Sequence, residues 1–328
     1  MQAVVRVLEL FCGIGGCAAA LAGRVRVTTA VDVSRAALEV YARNFPAHPA
    51  AARTLESIGA ADLRRWRAEL WWLSPPCQPF TRRGHGRDDD DPRSAGLLAL
   101  IPLLAAERPP FVALENVPGF AVSRTRARLI GALDGAGYRV WEGELCPSAL
   151  GVPNRRRRWF LVASREGDPA PPPPTADPSR LADHLDAEPA PELAVDPDLL
   201  RRYHGALDLV SATDPAAVTA CFTAAYGRSP VRSGSYLVEG GSIEGGLVEQ
   251  GLVEQGRASW SGAGLGLVPG GRARRFSPAE VLRLLGFPPD FTLPPGLPRA
   301  TGWRLAGNSL SLPTVRAALA GVPGLAPT

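Results

Sequence analysis

The chain contains no lysine: all 36 of its basic side chains are arginine. A GC-rich coding sequence accounts for that bias, and a functional reading is a surface suited to phosphate, which the planar guanidinium grips bidentately. Methionine occurs once and histidine four times, at His48, His85, His184 and His204. The five cysteines, Cys12, Cys17, Cys77, Cys146 and Cys221, are odd in number and widely spaced. That pattern excludes a disulfide framework and, with so few histidines, argues against any zinc or other metal site. Long apolar runs are also missing, since each is broken by Arg, Gly or Pro, so no transmembrane helix and no membrane partner is expected. The start, Met1-Gln2-Ala3-Val4-Val5-Arg6, lacks the features of a secretion signal, and a cytoplasmic location is expected. What is present is ordinary globular material, 45% hydrophobic and 21% charged over 328 residues. That is enough for one large domain or two smaller ones. A net charge of +4 is too small to decide for nucleic acid by itself.

Strand and helix patterns alternate through the first half. Residues 3–10, 25–31, 69–73, 111–114 and 158–163 read as strands, and 17–23, 34–44, 94–106 and 123–136 as helices. That alternation predicts βαβ units and a parallel sheet. The character changes at Asp168, where a proline-rich stretch at 169–178 reads as a stiff linker. Residues 179–270 are less regular and carry a tandem copy, Gly246-Leu-Val-Glu-Gln250 followed by Gly251-Leu-Val-Glu-Gln255, read as a slipped insertion in a surface loop. Order returns with a helix at 277–285, whose Ser277-Pro278-Ala-Glu280 start forms a capping box. A last helix is expected from about 313 to 320.

Four segments carry candidate chemistry. Phe11-Cys-Gly13-Ile-Gly15-Gly16 follows the first strand and opens a helix, a cradle in which glycines let backbone approach a ligand and helix N–H groups are free. Asp32 ends the next strand, where an acid can bind ribose hydroxyls. Together they suggest an adenosine-containing cofactor, and the glycine spacing departs from the dinucleotide pattern. Ser74-Pro75-Pro76-Cys77-Gln78-Pro79-Phe80 brackets a cysteine with prolines at a strand end, pointing to a positioned nucleophile that needs thiolate character. Glu115-Asn116-Val117 ends another strand, where Glu115 can be a proton donor of raised pKa and Asn116 a second hydrogen-bonding group. In Asn154-Arg155-Arg156-Arg157-Arg158, alternate arginines 156 and 158 share one face and could meet a base or phosphate.

The order of these motifs resembles that of the cytosine-C5 methyltransferases. Arg275-Phe-Ser-Pro-Ala-Glu280-Val-Leu-Arg-Leu-Leu285-Gly-Phe-Pro288 is similar to the family's late helix motif, and Gly307-Asn308-Ser309 to its final motif. The likeness covers 7–165 and 272–320. Leu73-Ser-Pro-Pro-Cys-Gln-Pro-Phe-Thr81-Arg82, Leu114-Glu-Asn-Val-Pro-Gly-Phe-Ala-Val-Ser123, and Cys221-Phe222-Thr223 with Tyr226 and Ser233-Gly-Ser235 resemble the tRNA-aspartate branch in particular.

The resemblance implies an α/β, Rossmann-like class I S-adenosylmethionine-dependent methyltransferase fold with a smaller target-recognition domain. Residues 1–168 would be the catalytic and cofactor domain, 169–178 the linker, and 179–295 the recognition domain with a flexible insert at 237–258. Residues 296–328 would return to the catalytic domain. It implies Cys77 as nucleophile on cytosine C6, Glu115 at N3, Asn116 holding the pocket, and Arg156 and Arg158 at the base. S-adenosylmethionine would lie on Phe11, Gly13, Gly15, Gly16, Asp32, Leu55, Asn308 and Ser309. Gln78, Thr81, Cys221, Phe222, Thr223 and Tyr226 would contact the substrate. A tRNA anticodon-loop cytosine is the favoured target and a monomer the expected state. A DNA methyltransferase, as in a restriction system, shares every catalytic motif, and a nucleic-acid-binding protein with a dead site is the remaining alternative. Asn154 stands where the family usually has Gln.

Overall fold

The structure, a computed structural model, describes residues 4–81, 87–172, 174–203, 205–239, 243–244, 266–267 and 272–325. The first half builds β1 (Val5–Leu10), α1 (Gly16–Ala20), β2 (Val25–Asp32), α2 (Arg35–Asn44), β3 (Ala50–Ala52), α3 (Ala60–Trp66) and β4 (Leu70–Leu73). These are followed by α4 (Ala95–Glu107), β5 (Phe111–Asn116), α5 (Arg124–Gly135), β6 (Arg139–Leu145) and β7 (Arg158–Ser164). The seven strands form one sheet in the order β3-β2-β1-β4-β5-β7-β6. The first five run parallel. Strand β7 runs antiparallel between β5 and β6. The expected parallel sheet is therefore corrected at its far edge, where β7, foreseen as the strand at 158–163, runs antiparallel beside β6, which was not anticipated.

Every residue of β4 and β5 is buried, as befits central strands covered on both faces. Successive side chains alternate between two cores. Trp72 and Ala113 join one core with α9 (Leu312–Leu319), while Trp71, Leu73 and Leu114 join another with α4 and α5. Helix α1 is shorter than the expected 17–23, stopping at Ala20, and α3 was not anticipated.

The second half contributes α6 (Pro197–Arg202), β8 (Asp208–Ser211), β9 (Ser235–Glu239), β10 (Ile243–Glu244), β11 (Gly266–Leu267) and β12 (Arg272–Arg275). Strands β12, β9 and β8 make a small sheet. Helix α7 (Pro278–Leu284) has the predicted capping box: Ser277 Oγ accepts from the Glu280 N–H at 3.1 Å, and Glu280 Oε2 accepts from the Ser277 N–H at 2.7 Å. Glu280 is also fully buried against Arg274 at 2.8 Å. Helix α8 (Arg299–Gly307) was not foreseen. Phe222, Tyr226, Phe276 and Trp303 share one apolar cluster with Val5, Trp72 and the α9 residues, so the second half packs directly onto one face of the large sheet. The duplicated segment 246–255 lies outside the described residues, as does most of 237–258. No helix among the described residues is long and apolar enough to cross a membrane.

Candidate active site

The parallel strands all end on one edge of the sheet, the usual place for a crevice in an open α/β fold. The turn after β1, Asp32 of β2, the loop after β4 and Glu115 of β5 meet there around a cavity of about 500 Å³. The antiparallel direction of β7 matters here. Its register sets Trp159 beside Asn116 and Phe160 beside Glu115, so its first residue, Arg158, arrives at this edge. A parallel β7 would begin at the opposite edge.

Phe11, Gly13 and Gly16 line the cavity, with Asp32, Leu55, Asn308 and Ser309. Gly13 has φ +54° and open space where a side chain would stand, so backbone is presented to the cavity there. Gly15 serves packing instead: at φ +91° its missing Cβ would lie 2.5 Å from the Phe45 ring. The expectation of free N–H groups at the start of α1 is corrected. Cys17 N–H donates to Glu9 Oε1 at 3.1 Å and Gly13 N–H to Asp32 Oδ2 at 2.8 Å. Asp32 Oδ1 accepts from Ser34 N–H at 2.8 Å, so this acid shapes the turn as well as lining the cavity.

Glu9 was missed by sequence reasoning. It is fully buried under the turn and also accepts from Tyr41 Oη at 3.1 Å. Burial pushes its carboxyl up to about 8, against the hydrogen bonds from Tyr41, Ala18 and Cys17. An acid set between Leu8 and Leu10, just ahead of the glycine turn, was the signal that could have revealed it. Glu56, Arg93 and Arg304 also line the cavity and were not anticipated. Arg93 is held bidentately by Asp91 at 2.8 Å.

Cys77, Gln78, Glu115, Arg156 and Arg158 line the same cavity. The Arg158 Nε lies 3.1 Å from Glu115 Oε1, with both side chains largely buried. Burial raises the Glu115 carboxyl above its ordinary range, opposed by Arg158 and then Arg156. Burial likewise raises the Cys77 thiol, with Arg158 opposing and Glu115 reinforcing. Asn116 stands behind the wall. Its Nδ2 donates to Pro75 O at 3.0 Å and its Oδ1 accepts from Val117 N–H at 2.8 Å, tying the end of β5 to the cysteine loop. Gly119 permits a second tie, since a Cβ there would meet Phe80 O at 2.2 Å.

The arginine run splits as its alternation predicts. Arg155 and Arg157 are exposed, pairing with Asp208 and Glu144. Arg156 is buried and donates to Phe222 O at 3.0 Å, Gly307 O at 3.2 Å and Ser309 O. Its guanidinium therefore joins three chain segments rather than standing free for a base. Asn154 continues this tie, donating to Thr219 Oγ1 at 2.9 Å and Ala220 O at 3.2 Å.

The expected substrate residues divide. Gln78 lines the cavity, whereas Thr81 donates to Gln78 O at 3.3 Å and lies outside the lining. Phe222 and Tyr226 are core residues, their rings 4.9 Å apart, and Tyr226 Oη both donates to Ser235 O and accepts from Phe276 N–H. Thr223 is half-buried, and its Oγ1 accepts from Ala225 N–H at 3.2 Å. Cys221 Sγ lies 3.5 Å from Arg156 Nη1 and 3.8 Å from Arg158 Nη2. Burial raises its thiol, but the two arginines outweigh that and bring it below the ordinary value. No cluster of potential metal ligands occurs among the described residues.

Comparison with known proteins agrees with this geometry. Residues 5–195 match the C-5 cytosine-specific DNA methylase family. The tRNA (cytosine(38)-C(5))-methyltransferase of Mus musculus is 31% identical, with 94% of this chain and 91% of that protein aligned. The DNA (cytosine-5)-methyltransferase of Dictyostelium discoideum is 28% identical over 94% of this chain and 92% of its own. The solved structure of an Entamoeba histolytica methyltransferase superposes with a TM-score of 0.80 at 25% identity, covering 97% of both chains. With the sheet of a class I methyltransferase, a thiol, an acid and an arginine on one cavity wall, and relatives matched along nearly the whole chain, the protein belongs to the cytosine-C5 methyltransferase family and is a cytosine-5 methyltransferase.

Proposed function

We propose that the chain methylates an anticodon-loop cytosine of tRNA, of the tRNA-aspartate type, with S-adenosylmethionine as donor and through a covalent adduct between Cys77 and cytosine C6. The observation that carries this is the wall on which Cys77, Glu115 and Arg158 converge beside the glycine turn. The residues present fit the cofactor. A cavity of about 500 Å³ with backbone exposed at Gly13 and acids at Asp32 and Glu56 suits a nucleoside carrying positive charge. Phe11, Gly13, Asp32, Leu55, Asn308 and Ser309 would hold it, with Glu56 added. When bound, S-adenosylmethionine supplies an electrophilic methyl group.

Cytosine C5 is a poor nucleophile. Addition of the Cys77 sulfur to C6 as the thiolate, its proton released to solvent, converts the ring to an enamine and puts electron density on C5. The raised pKa of Glu115 supports a protonated carboxyl that hydrogen-bonds N3 and stabilises the charge arriving there. Arg158, fixed against Glu115, would bond the base near O2. Loss of the C5 proton and expulsion of Cys77 restore the ring. Asn116 and Arg156 act through position, one holding the cysteine loop and the other the 221–222 and 307–309 segments. Residues 179–295 would present the RNA, with 296–328 completing the cofactor side.

Whole-chain likeness to a tRNA enzyme favours RNA, and a looped single strand offers an unstacked base that is cheap to extrude. The DNA reading is kept by the family's description and by the Dictyostelium relative. Incubation with labelled S-adenosylmethionine and either host tRNA or host DNA separates them. Label entering tRNA is expected, and label entering DNA alone sinks the tRNA assignment.

A further inference from the structure

We infer that a second, basic cavity at the opposite edge of the large sheet is a docking site for the phosphodiester backbone of the nucleic-acid substrate, an inference that rests on the proposed RNA reading. This cavity, of about 770 Å³, lies where β1 and β2 begin, and among the described residues no Asp or Glu lines it. Arg6, Arg26, Arg65 and Arg67 line it, with His48 and Trp66 in its walls.

Two features show that the cluster is poised for an anion. First, Arg6 and Arg26 are register partners on adjacent parallel strands. Neighbouring strands lie about 4.8 Å apart, so two like charges share one face at close range. Such a juxtaposition is destabilising unless something lies between them. Second, the local carboxylates do not cover the charge. Glu69 pairs with Arg6 at 3.3 Å, and Asp62 reaches Arg65 at 3.2 Å while also serving Arg53 at 3.0 Å. Arg26 and Arg67 are exposed and make no ion pair among the described residues. The Arg6 Nε donates to Arg67 O at 2.7 Å, which holds the two residues together on one rim. Guanidinium groups at this spacing suit phosphate oxygens, each able to take a bidentate pair.

The position selects the class of ligand. Arg6 is near the start of β1 and Phe11 follows its end, so the two cavities are separated by five strand residues, about 17 Å. A nucleotide cannot span that distance. A folded RNA that inserts one base at the reacting edge can pass a phosphate run around the β3 side of the sheet to the end where β1 and β2 begin. The same distance makes this site one of affinity and orientation rather than of chemistry.

The test compares the full chain with a variant carrying Arg26→Ala and Arg67→Ala, and with a control that removes equal charge from exposed positions outside both cavities and outside 179–295, Arg139→Ala with Arg165→Ala. Affinity for a whole tRNA transcript is measured against salt. Losing two phosphate contacts should flatten the slope of log K against log salt by about 1.5 and raise KM for tRNA roughly tenfold, with kcat unchanged. A short single-stranded RNA bearing the target cytosine should be methylated equally by all three proteins. A slope and KM that match the control overturn the docking site. Saturable binding of inorganic phosphate that the double variant abolishes, with tRNA affinity unchanged, overturns the RNA assignment in favour of a small-anion site. A chain whose salt-sensitive tRNA binding depends on Arg26 and Arg67, but which methylates only DNA, would keep the docking surface and remove the tRNA reading.

Discussion

The two edges of the large sheet use the same residue type in opposite ways. At the edge where the parallel strands end, Arg156 and Arg158 are buried and committed, one to three backbone carbonyls and the other to Glu115. At the edge where they begin, Arg26 and Arg67 stand in solvent without carboxylate partners among the described residues. The charge is identical, and burial decides what it does. In the interior an arginine shapes pKa values and fixes loops, because each unmatched donor or acceptor there is costly. At the surface it contributes little to stability and remains available to a polyanion. A fork of five donors suits both tasks, which a chain without lysine can exploit.

The contrast can be broken most severely at Cys77. Replacing it by alanine should lower methyl transfer by roughly 10³-fold or more while leaving the fold intact by circular dichroism. Retention of a tenth of the activity would detach this edge from the chemistry. Arg158→Ala should cost roughly 10²–10³-fold in kcat, since it removes a fixed charge from the base site. It should also move the Glu115 carboxyl further up, because Arg158 is the main group holding it down; the alkaline limb of the pH–rate profile, where the protonated carboxyl is lost, reads that shift.

Arg156→Ala sharpens the structural side of the contrast. Leaving the carbonyls of Phe222, Gly307 and Ser309 without their donor should lower unfolding free energy by about 2–3 kcal/mol in urea titrations. At Glu9 the folded carboxyl sits at about 8 against an ordinary 4.5, so the folded state holds a proton the unfolded state has released. That stability is present below pH 4.5 and is lost as pH rises towards 8, at up to about 1.4 kcal/mol per unit. Thermal melts of Glu9→Gln should lack this slope. The smallest effect is expected at Arg26→Ala, within about 0.5 kcal/mol of the parent in the same melts. A loss comparable to that of Arg156→Ala would show that the exposed edge is not free.

Local patterns made the site's parts legible. Glycines after the first strand, prolines around Cys77, acids at strand ends and alternation in the arginine run are each set by neighbours a few residues away, and the Ser277–Glu280 capping box is as local. The parts that escaped depend on distant partners. Strand β6 was not foreseen, and the direction of β7 was missed, because strand direction leaves no mark on an apolar run. Phe222 and Tyr226 carry no local sign that their rings fill a core with Phe276 and Trp303. Glu9 was passed over because one of the groups that close around it, Tyr41, lies far along the chain, and the N–H groups of Cys17 and Ala18 reach it only through the fold of the turn.

By itself, the sequence determined that an α/β chain presents a thiol, an acid, a glycine turn and arginines at strand ends, and through the order of those motifs it determined the family. Only the tertiary structure decided which of these groups meet. The antiparallel turn of β7 delivers Arg158 to Glu115, and burial then sets their charge states. Both are properties of groups far apart in the chain, brought within hydrogen-bonding distance at the cost of their water, and no window of neighbouring residues contains them.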